Sequence, residues 1–481
     1  MQMMRLSDRI ARPGRVIQLR PSDRTLQAML TTEPSDRQPS FMQADHLATR
    51  RDSHGTGAQD DLWLGFVCRL ADDLDLDAFA RAYTRWAQRH GIMHGWFTID
   101  EDRPTGFARH DLRSDQLDFD TVEIGHPRTA ADTSELLMQT FRTSCYPLGQ
   151  IAYTATLIVE DDADSLSEAP PGIVLALAMD HSYTDGFSFY VVHHELSEFY
   201  REEVGGEAAD LFPVGDFMDF AQAERERTQE ASVEHPAVMA WATFWLSGEQ
   251  DLGRFPMPLG VETDHPRPLV QHEEVLLSAA EHDRLDDVAR AHDVSGPSVL
   301  YAAAALAAKE LAGAETFRFV NPVHTRDAPQ WLLAAGWFIT VVPIHIDIDP
   351  HDDLWSLAAK VRVTFRDSKP VSEIPAVRVH RIIEEHLGMP LDDVGHRQLF
   401  SYMDVRLVPG ADRWDDAQAT IVTGGGEDTN VSQWIFRQPA RTTLQAILPG
   451  TPEAVTSTAA FYGRMGKHLR AAAALPVEAM A

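Results

Sequence analysis

The sequence predicts a mixed α/β protein built as two lobes, and three observations carry that expectation. Residues 173–179, Ile-Val-Leu-Ala-Leu-Ala-Met, are a short run that is apolar throughout and preceded by Pro170, Pro171 and Gly172. A run of that kind reads as a strand buried on both faces rather than as a helix. The stretch after it repeats apolar residues at helical spacing, through Phe189, Val192, Leu196, Phe199 and Tyr200. Finally, 481 residues is long for one core and suits two lobes of roughly 200 residues each.

Composition narrows the function classes. The net charge of −31 argues against a nucleic-acid partner, because phosphate binding needs basic surface. No window approaches ~18 consecutive apolar residues, so no transmembrane helix is expected. The arginine-rich stretch from Met1 to Arg24 lacks the apolar core of a secretion signal. Cys68 and Cys145 are the only cysteines. They support neither a disulfide framework nor a C-x-x-C metal site, and they fit a reducing cytoplasm.

Taken in order, residues 1–40 read as a lead-in segment. Residues 25–60 are polar and turn-rich, with Phe41, Met42 and His46 placed to touch the first lobe. A strand from Asp61 to Leu70 precedes a helix with the apolar face Phe79, Ala82, Tyr83, Trp86 and Ala87, capped by Asp77 and closed by Gly91. His90 and His94 are structural in this reading. A helix near 134–143, a strand over 151–159 and a solvated acidic loop over 161–171 lead to the apolar run, with the two strands joined as a hairpin. Helices follow over 216–230 and 236–246, and the prolines of 255–268 read as an extended linker.

The second lobe opens with a strand near 273–277 and a helix over 281–292. Ser295 caps a long alanine-rich helix over 297–311, with Pro297 in its first turn and Gly313 past its end. A strand over 318–322 leads to Val323-His-Thr-Arg-Asp327 and then Gly336-Trp-Phe-Ile-Thr340. Helices over 354–364 and 453–474 and strands over 399–405 and 431–436 complete the chain. The lobes therefore span 41–215 and 271–481, with 216–270 as helices and linker.

Between the apolar strand and its helix stand His181, Asp185 and Gly186. An imidazole delivered at the end of a buried strand is held rigidly enough for proton transfer. The plainer reading of a lone histidine there is a satisfied structural residue. Gly186 suits a close strand-to-helix turn.

Asp180-His181-Ser182-Tyr183-Thr184-Asp185-Gly186 resembles the His-His-x-x-x-Asp-Gly signature of the condensation-domain superfamily of acyltransferases. That superfamily includes chloramphenicol-acetyltransferase-like enzymes, peptide-synthetase condensation domains and the polyketide-associated acyltransferases of actinobacteria. The helix before Arg89-His90-Gly91, the Trp245-Leu246 to Pro-Arg-Pro268 segment and the Gly336-Trp-Phe-Ile-Thr340 block are similar to family segments as well. The last of these looks most like the polyketide-associated acyltransferases. The first signature histidine is Asp180 here, whereas the second, the family's catalytic one, is present as His181.

The resemblance implies two chloramphenicol-acetyltransferase-like α/β lobes meeting in a V, with a channel between them. It implies transfer of an acyl group from a coenzyme A or phosphopantetheinyl carrier-protein thioester to a hydroxyl or amine, with His181 as general base. Ester formation on a lipid or polyketide-derived natural product is the preferred version. Asp185 is expected to pair with Arg326 from the second lobe. Asp180, Gly336, Trp337, Phe338 and Thr340 are the expected channel-lining residues. No bound cofactor or metal is implied, and a cytoplasmic monomer is expected. Because the chain is acidic, a carrier protein or free coenzyme A needs local positive charge. Two alternatives stay open: a non-catalytic docking module with a degenerate motif at Asp180, and a free-standing amide-forming condensation enzyme.

Other chemistries fit the sequence less well. Asp180, His181 and Asp185 lack the His-Glu-x-x-His pattern of a zinc site. Gly186-Phe-Ser-Phe-Tyr190 lacks the closing glycine of a nucleophile elbow. Gly424-Gly425-Gly426 has no Gly-Lys-Ser/Thr after it and reads as a flexible turn, while His193-His194 reads as helix packing or surface.

Overall fold

A computed structural model describes residues 2–10, 12–54, 62–162, 170–248, 252–262, 265–388 and 397–476. Part of the acidic loop (163–169), the start of the 61–70 strand and Asp264 of the proline-rich stretch lie outside the described residues. The chain forms two compact units. The first comprises Met1–Gln229, Arg326–Phe338 and Val408–Gly426, and the second Glu230–Thr325, Ile339–Leu407 and Glu427–Ala481.

The first unit is built on a seven-stranded sheet. Its order is Gln2–Arg5, Thr420–Thr423, Trp63–Leu70, Ile173–Asp180, Tyr153–Glu160, Gly14–Pro21 and Phe119–Gly125. The first pair is parallel, and every other pair is antiparallel. Ile173–Asp180 is the central strand and is buried along its whole length, as its apolar sequence requires. Its side chains alternate across the sheet. Val174, Ala176 and Ala178 pack with Leu137 and Phe141 of the helix Ala130–Ser144, which leaves Leu175, Leu177 and Met179 to the opposite face.

Residues 1–40 are not a lead-in segment. Gly14–Pro21 is an inner strand with Val16 and Leu19 fully buried, and Ser22 caps a further helix, Asp23–Leu30. Its arginines and flanking prolines masked a short apolar core. Phe41–Ser53 is also helical, opened by a capping box in which Ser40 and Gln43 satisfy each other's main-chain N–H groups. The helix Leu76–Arg89 starts two residues earlier than expected: Asp75, not Asp77, accepts from the Ala78 N–H, and His90 rather than Gly91 closes it.

The second unit carries the other seven-stranded sheet, ordered Ile339–Asp347, Thr316–His324, Leu399–Asp404, Ser432–Arg437, Arg441–Pro449, Arg267–Ser278 and Glu427–Asp428. The helix Gly296–Ala312 is capped by Ser295 and ended by Gly313 at φ 66°, as its sequence predicts. Its alanines at 302–305, 307 and 308 are fully buried, because small side chains let neighbouring elements approach closely.

The 216–270 stretch holds the two helices expected of it, and its described residues 252–262 carry no helix or strand. Phe217–Thr228 is a helix of the first unit and Pro236–Ser247 a helix of the second. Arg267–Ser278 is already a strand, with Pro268 at its start opposite Glu427, where a missing N–H is tolerated. The 271–481 lobe is likewise corrected, since Arg326–Phe338 and Val408–Gly426 return to the first unit. Thr420–Thr423 does so by hydrogen-bonding between two of its strands.

The central strand sets a test of the packing. Leu177 is fully buried, so Leu177→Ala is expected to cost about 2–5 kcal/mol. Denaturant unfolding reads this directly, and a loss below about 0.5 kcal/mol would place the load-carrying core elsewhere.

Candidate active site

The central strand ends at Asp180, and a single 3-10 turn, His181–Tyr183, carries the chain to the helix Gly186–Glu203. Both ends of this turn are tied down. Tyr183, fully buried, donates its hydroxyl to the Gly95 carbonyl at 2.6 Å. Gln43 donates its side-chain amide to the Ser182 carbonyl at 2.6 Å.

Asp180 is fully buried, so it lines no channel, contrary to expectation. Its carboxylate lies 2.9 and 3.0 Å from His46 Nε2 and 3.4 Å from Arg50 Nε. It also accepts from the Ser182 N–H at 2.9 Å and the Ser182 hydroxyl at 2.5 Å. Burial opposes its ionisation, but His46, Arg50 and Ser182 outweigh that and hold the carboxyl below its usual range. Gln43, His46 and Arg50 share one face of their helix, at the three- and four-residue steps that put side chains in a row.

His181 is partly exposed. Its ring stacks on Trp337 with centroids 3.9 Å apart and planes tilted by 31°. His46 meets the same indole edge-on at 5.5 Å and lies 6.2 Å from His181. Nδ1 is sealed from solvent without a hydrogen-bond partner, and Nε2 makes no hydrogen bond among the described residues either. Burial pushes the imidazole down to about 4, and neighbouring His46 acts in the same direction, against Asp180 and Asp185.

Asp185 caps the following helix through the Ser188 N–H at 2.8 Å and is nearly sealed from solvent. Arg326 grips it with both terminal nitrogens, at 2.7 and 3.1 Å, and the Phe338 N–H adds a bond at 3.1 Å. Its carboxyl is disfavoured by burial yet kept below its usual range by Arg326 and Ser188. The guanidinium is sandwiched by Phe187 and Phe338, at 4.9 and 4.5 Å. Asp185 therefore has its donors supplied by Arg326 and Ser188, the pairing expected of a structural residue. Arg326 was expected from the second lobe, but its segment clusters with the first unit.

Gly336 has φ 154°, and a Cβ there would meet Phe217 at 2.3 Å, so both backbone and space require glycine. Gly186 is different. A Cβ at that position meets nothing within 4 Å, and its φ is not in the left-handed region, so the expected steric need is absent. Phe338 is buried against Phe217 and Phe220. Thr340 does not join this cluster. It lies in the second unit, buried, with its hydroxyl accepting from the Ala376 N–H at 3.1 Å.

His90 is structural, as expected: its Nε2 lies 2.7 Å from Glu195 and its Nδ1 accepts from the Ala335 N–H. The functional surroundings missed in the sequence are Arg50, Ser182 and Ser188, together with the role of His46. The signals for the first helix were its Ser40-x-x-Gln43 start and the polar row Gln43, His46, Arg50. Among the described residues there is no cluster of His, Cys, Asp and Glu able to hold a metal, and no helix long and apolar enough to cross a membrane.

A family model, the condensation domain, matches residues 62–389, and the chain belongs to that family. Among curated proteins, it is 26% identical over 434 residues to trehalose-2-sulfate acyltransferase PapA2 of Mycobacterium tuberculosis, covering 89% of this chain and 88% of that protein. It is 21% identical to acyltransferase PapA3 of the same species, covering 89% and 87%. Of solved structures, a PapA2 acyl transferase superposes with a TM-score of 0.87 at 22% identity, covering 99% of this chain and all of that one. The condensation domain of the monacolin K polyketide synthase MokA gives 0.66 at 15% identity, covering 91% and 98%. The mixed α/β fold, the family and the acyltransferase class expected from the sequence are those of these relatives.

The ion pair yields a second test. Removing one partner of a buried pair strands a charge and costs about 3–5 kcal/mol. Asp185→Ala and Arg326→Ala are each expected to lose that much in unfolding experiments, and the double variant less than their sum. Losses that add to within ~0.5 kcal/mol would mean that the 2.7 Å contact carries no coupling.

Proposed function

We propose that this acyltransferase takes its acyl group from a thioester, of coenzyme A or of a carrier phosphopantetheine, and delivers it to a hydroxyl of a lipid or polyketide-derived acceptor, with His181 as general base. The observation that carries the reading is the placement of the His181 imidazole: at the end of the central strand, partly exposed and with Nε2 uncommitted.

In this mechanism Nε2 accepts the acceptor's O–H proton as the oxygen attacks the thioester carbonyl. The carbon–sulfur bond then breaks, and the departing thiolate takes the proton from the imidazolium. An ester and a free thiol result, and the base is restored without a net change of charge. A pKa lowered to about 4 keeps the imidazole neutral at cellular pH and makes its conjugate acid strong enough to return the proton readily.

Several features support this reading over the alternatives. PapA2 is named for a sulfated sugar, whose nucleophiles are hydroxyls, which favours ester over amide formation. Asp180, the departure that raised the docking-module reading, is tied to His46 and leaves His181 free to act. Arg142 and Arg50, the latter also paired with Asp180, line a cavity of about 420 Å³ in a chain of net −31. An acidic protein needs such a place if its donor carries phosphate.

Intact-mass detection of product from candidate thioesters and alcohols tests the reaction class. His181→Ala is expected to stay folded and to lose about 10²–10⁴-fold in kcat. In the wild type, kcat/KM is expected to be flat at neutral pH and to fall on acidification with a midpoint near 4, because only the neutral ring is a base. A His181→Ala rate within twofold of wild type would remove His181 from the role, whereas an acid limb centred near 6.5 would overturn only the desolvation of its ring.

A further inference from the structure

His46 is not needed for proton transfer as described, yet it touches both groups that define the base's position. Its Nε2 spans the two carboxylate oxygens of Asp180, the residue directly before His181. Its ring edge meets the indole on which His181 is stacked. The imidazole is itself nearly buried, with 8% of its side chain exposed, so these contacts are made inside the protein and fix its orientation. Asp180 passes the constraint on through Ser182, whose N–H and hydroxyl it accepts. The base is thus held from two sides, by the main chain of its turn and by the face of Trp337, and His46 stands behind both.

We propose that His46 is a positioning residue for the reaction: by anchoring Asp180 and bracing Trp337 edge-on, it fixes the plane and reach of the His181 imidazole. The pair formed by His46 and Asp180 lies at the point where this sequence departs from the two-histidine signature, so the helix Phe41–Ser53 supplies an imidazole that the motif strand lacks. The proposal rests on His181 being the base. It has a readout that does not.

The charged groups facing His181 are His46 from the helix Phe41–Ser53, Asp180 from the central strand and Asp185 from the following helix, with Arg50 behind Asp180. Removing His46 takes away a neighbour that disfavours a second positive charge and leaves the Asp180 carboxylate less matched. Both effects favour the imidazolium and raise the pH at which His181 titrates. A residue that only supported the fold would lower the rate equally at every pH.

The experiment uses the full chain with His46→Ala and His46→Gln, the glutamine keeping a donor to Asp180 without the ring or the charge. Thermal unfolding verifies folding, and His46→Gln decides if the alanine variant does not fold. His46→Ala is expected to lower kcat about 10²-fold, the cost of a misplacement of about 1 Å. His46→Gln should recover roughly tenfold of that loss by keeping the hydrogen bond. In both, the acid limb of kcat/KM and the NMR titration midpoint of the His181 ring in histidine-labelled protein should move to higher pH. Rates within twofold of wild type overturn the proposal, as does a uniform loss with the His181 midpoint unmoved. If the wild type transfers no acyl group from any thioester, the function proposed above fails. The NMR midpoint then still decides whether His46 governs His181.

Discussion

Burial alone would protonate Asp185 and make it a poor partner for anything. It stays an anion because Arg326 supplies two donors in one plane and the helix it caps supplies more. Much of the site follows from that arrangement. The Arg326 guanidinium also reaches Ser188 and the Ala334 carbonyl. The Phe338 N–H ends on the same carboxylate, and Gly336 closes against Ser188. Between Arg326 and Phe338 the segment is fastened at both ends, and Trp337 is presented to His181 as a consequence. A buried pair is weak evidence for stability as such. Here it specifies which residues of a distant segment come to the strand end.

Two kinds of carboxylate chemistry coexist within six residues of sequence. Asp180 is matched by an imidazole and an arginine on one helix, Asp185 by an arginine on a loop. Both are held as anions, and the histidine between them is held neutral. Two fixed anions would by themselves raise the histidine's pKa. Desolvation, with His46 acting in the same direction, wins instead, and the result is a base rather than a resident cation.

The parts of this fold that were legible in the sequence are those where local pattern and burial agree. The 173–179 run, the Ser295-to-Gly313 helix and the aromatic-faced helix around Trp86 each declare their element through period and caps. Gly14–Pro21 was hidden, because an inner strand only eight residues long, with arginine and proline near its ends, has the composition of a tail. Thr420–Thr423 and Arg441–Pro449 were missed because their burial comes from partners far away in the chain, to which no local signal points. At the site, the signature residues were legible and their support was not. His46 and Arg50 matter through distances to Asp180, and a single sequence encodes no distance across 130 residues. Thr340 was misplaced for the converse reason: it follows Trp337 and Phe338 in the chain, but the strand it enters belongs to the other unit.

The strand Thr420–Thr423 sits between Gln2–Arg5 and Trp63–Leu70, which has a consequence for how the protein is made. On the ribosome, the first two hundred residues emerge with most of a sheet, but one edge lacks its neighbour until the chain has grown past residue 423. Until then the outer face of Trp63–Leu70 offers unpaired N–H and C=O groups, the kind of edge that recruits other strands. Among the described residues, Gln2–Arg5 pairs only with that late arrival. The first unit therefore cannot close its sheet until a segment more than two hundred residues beyond its central strand has been made, and until then that edge is open to misassembly.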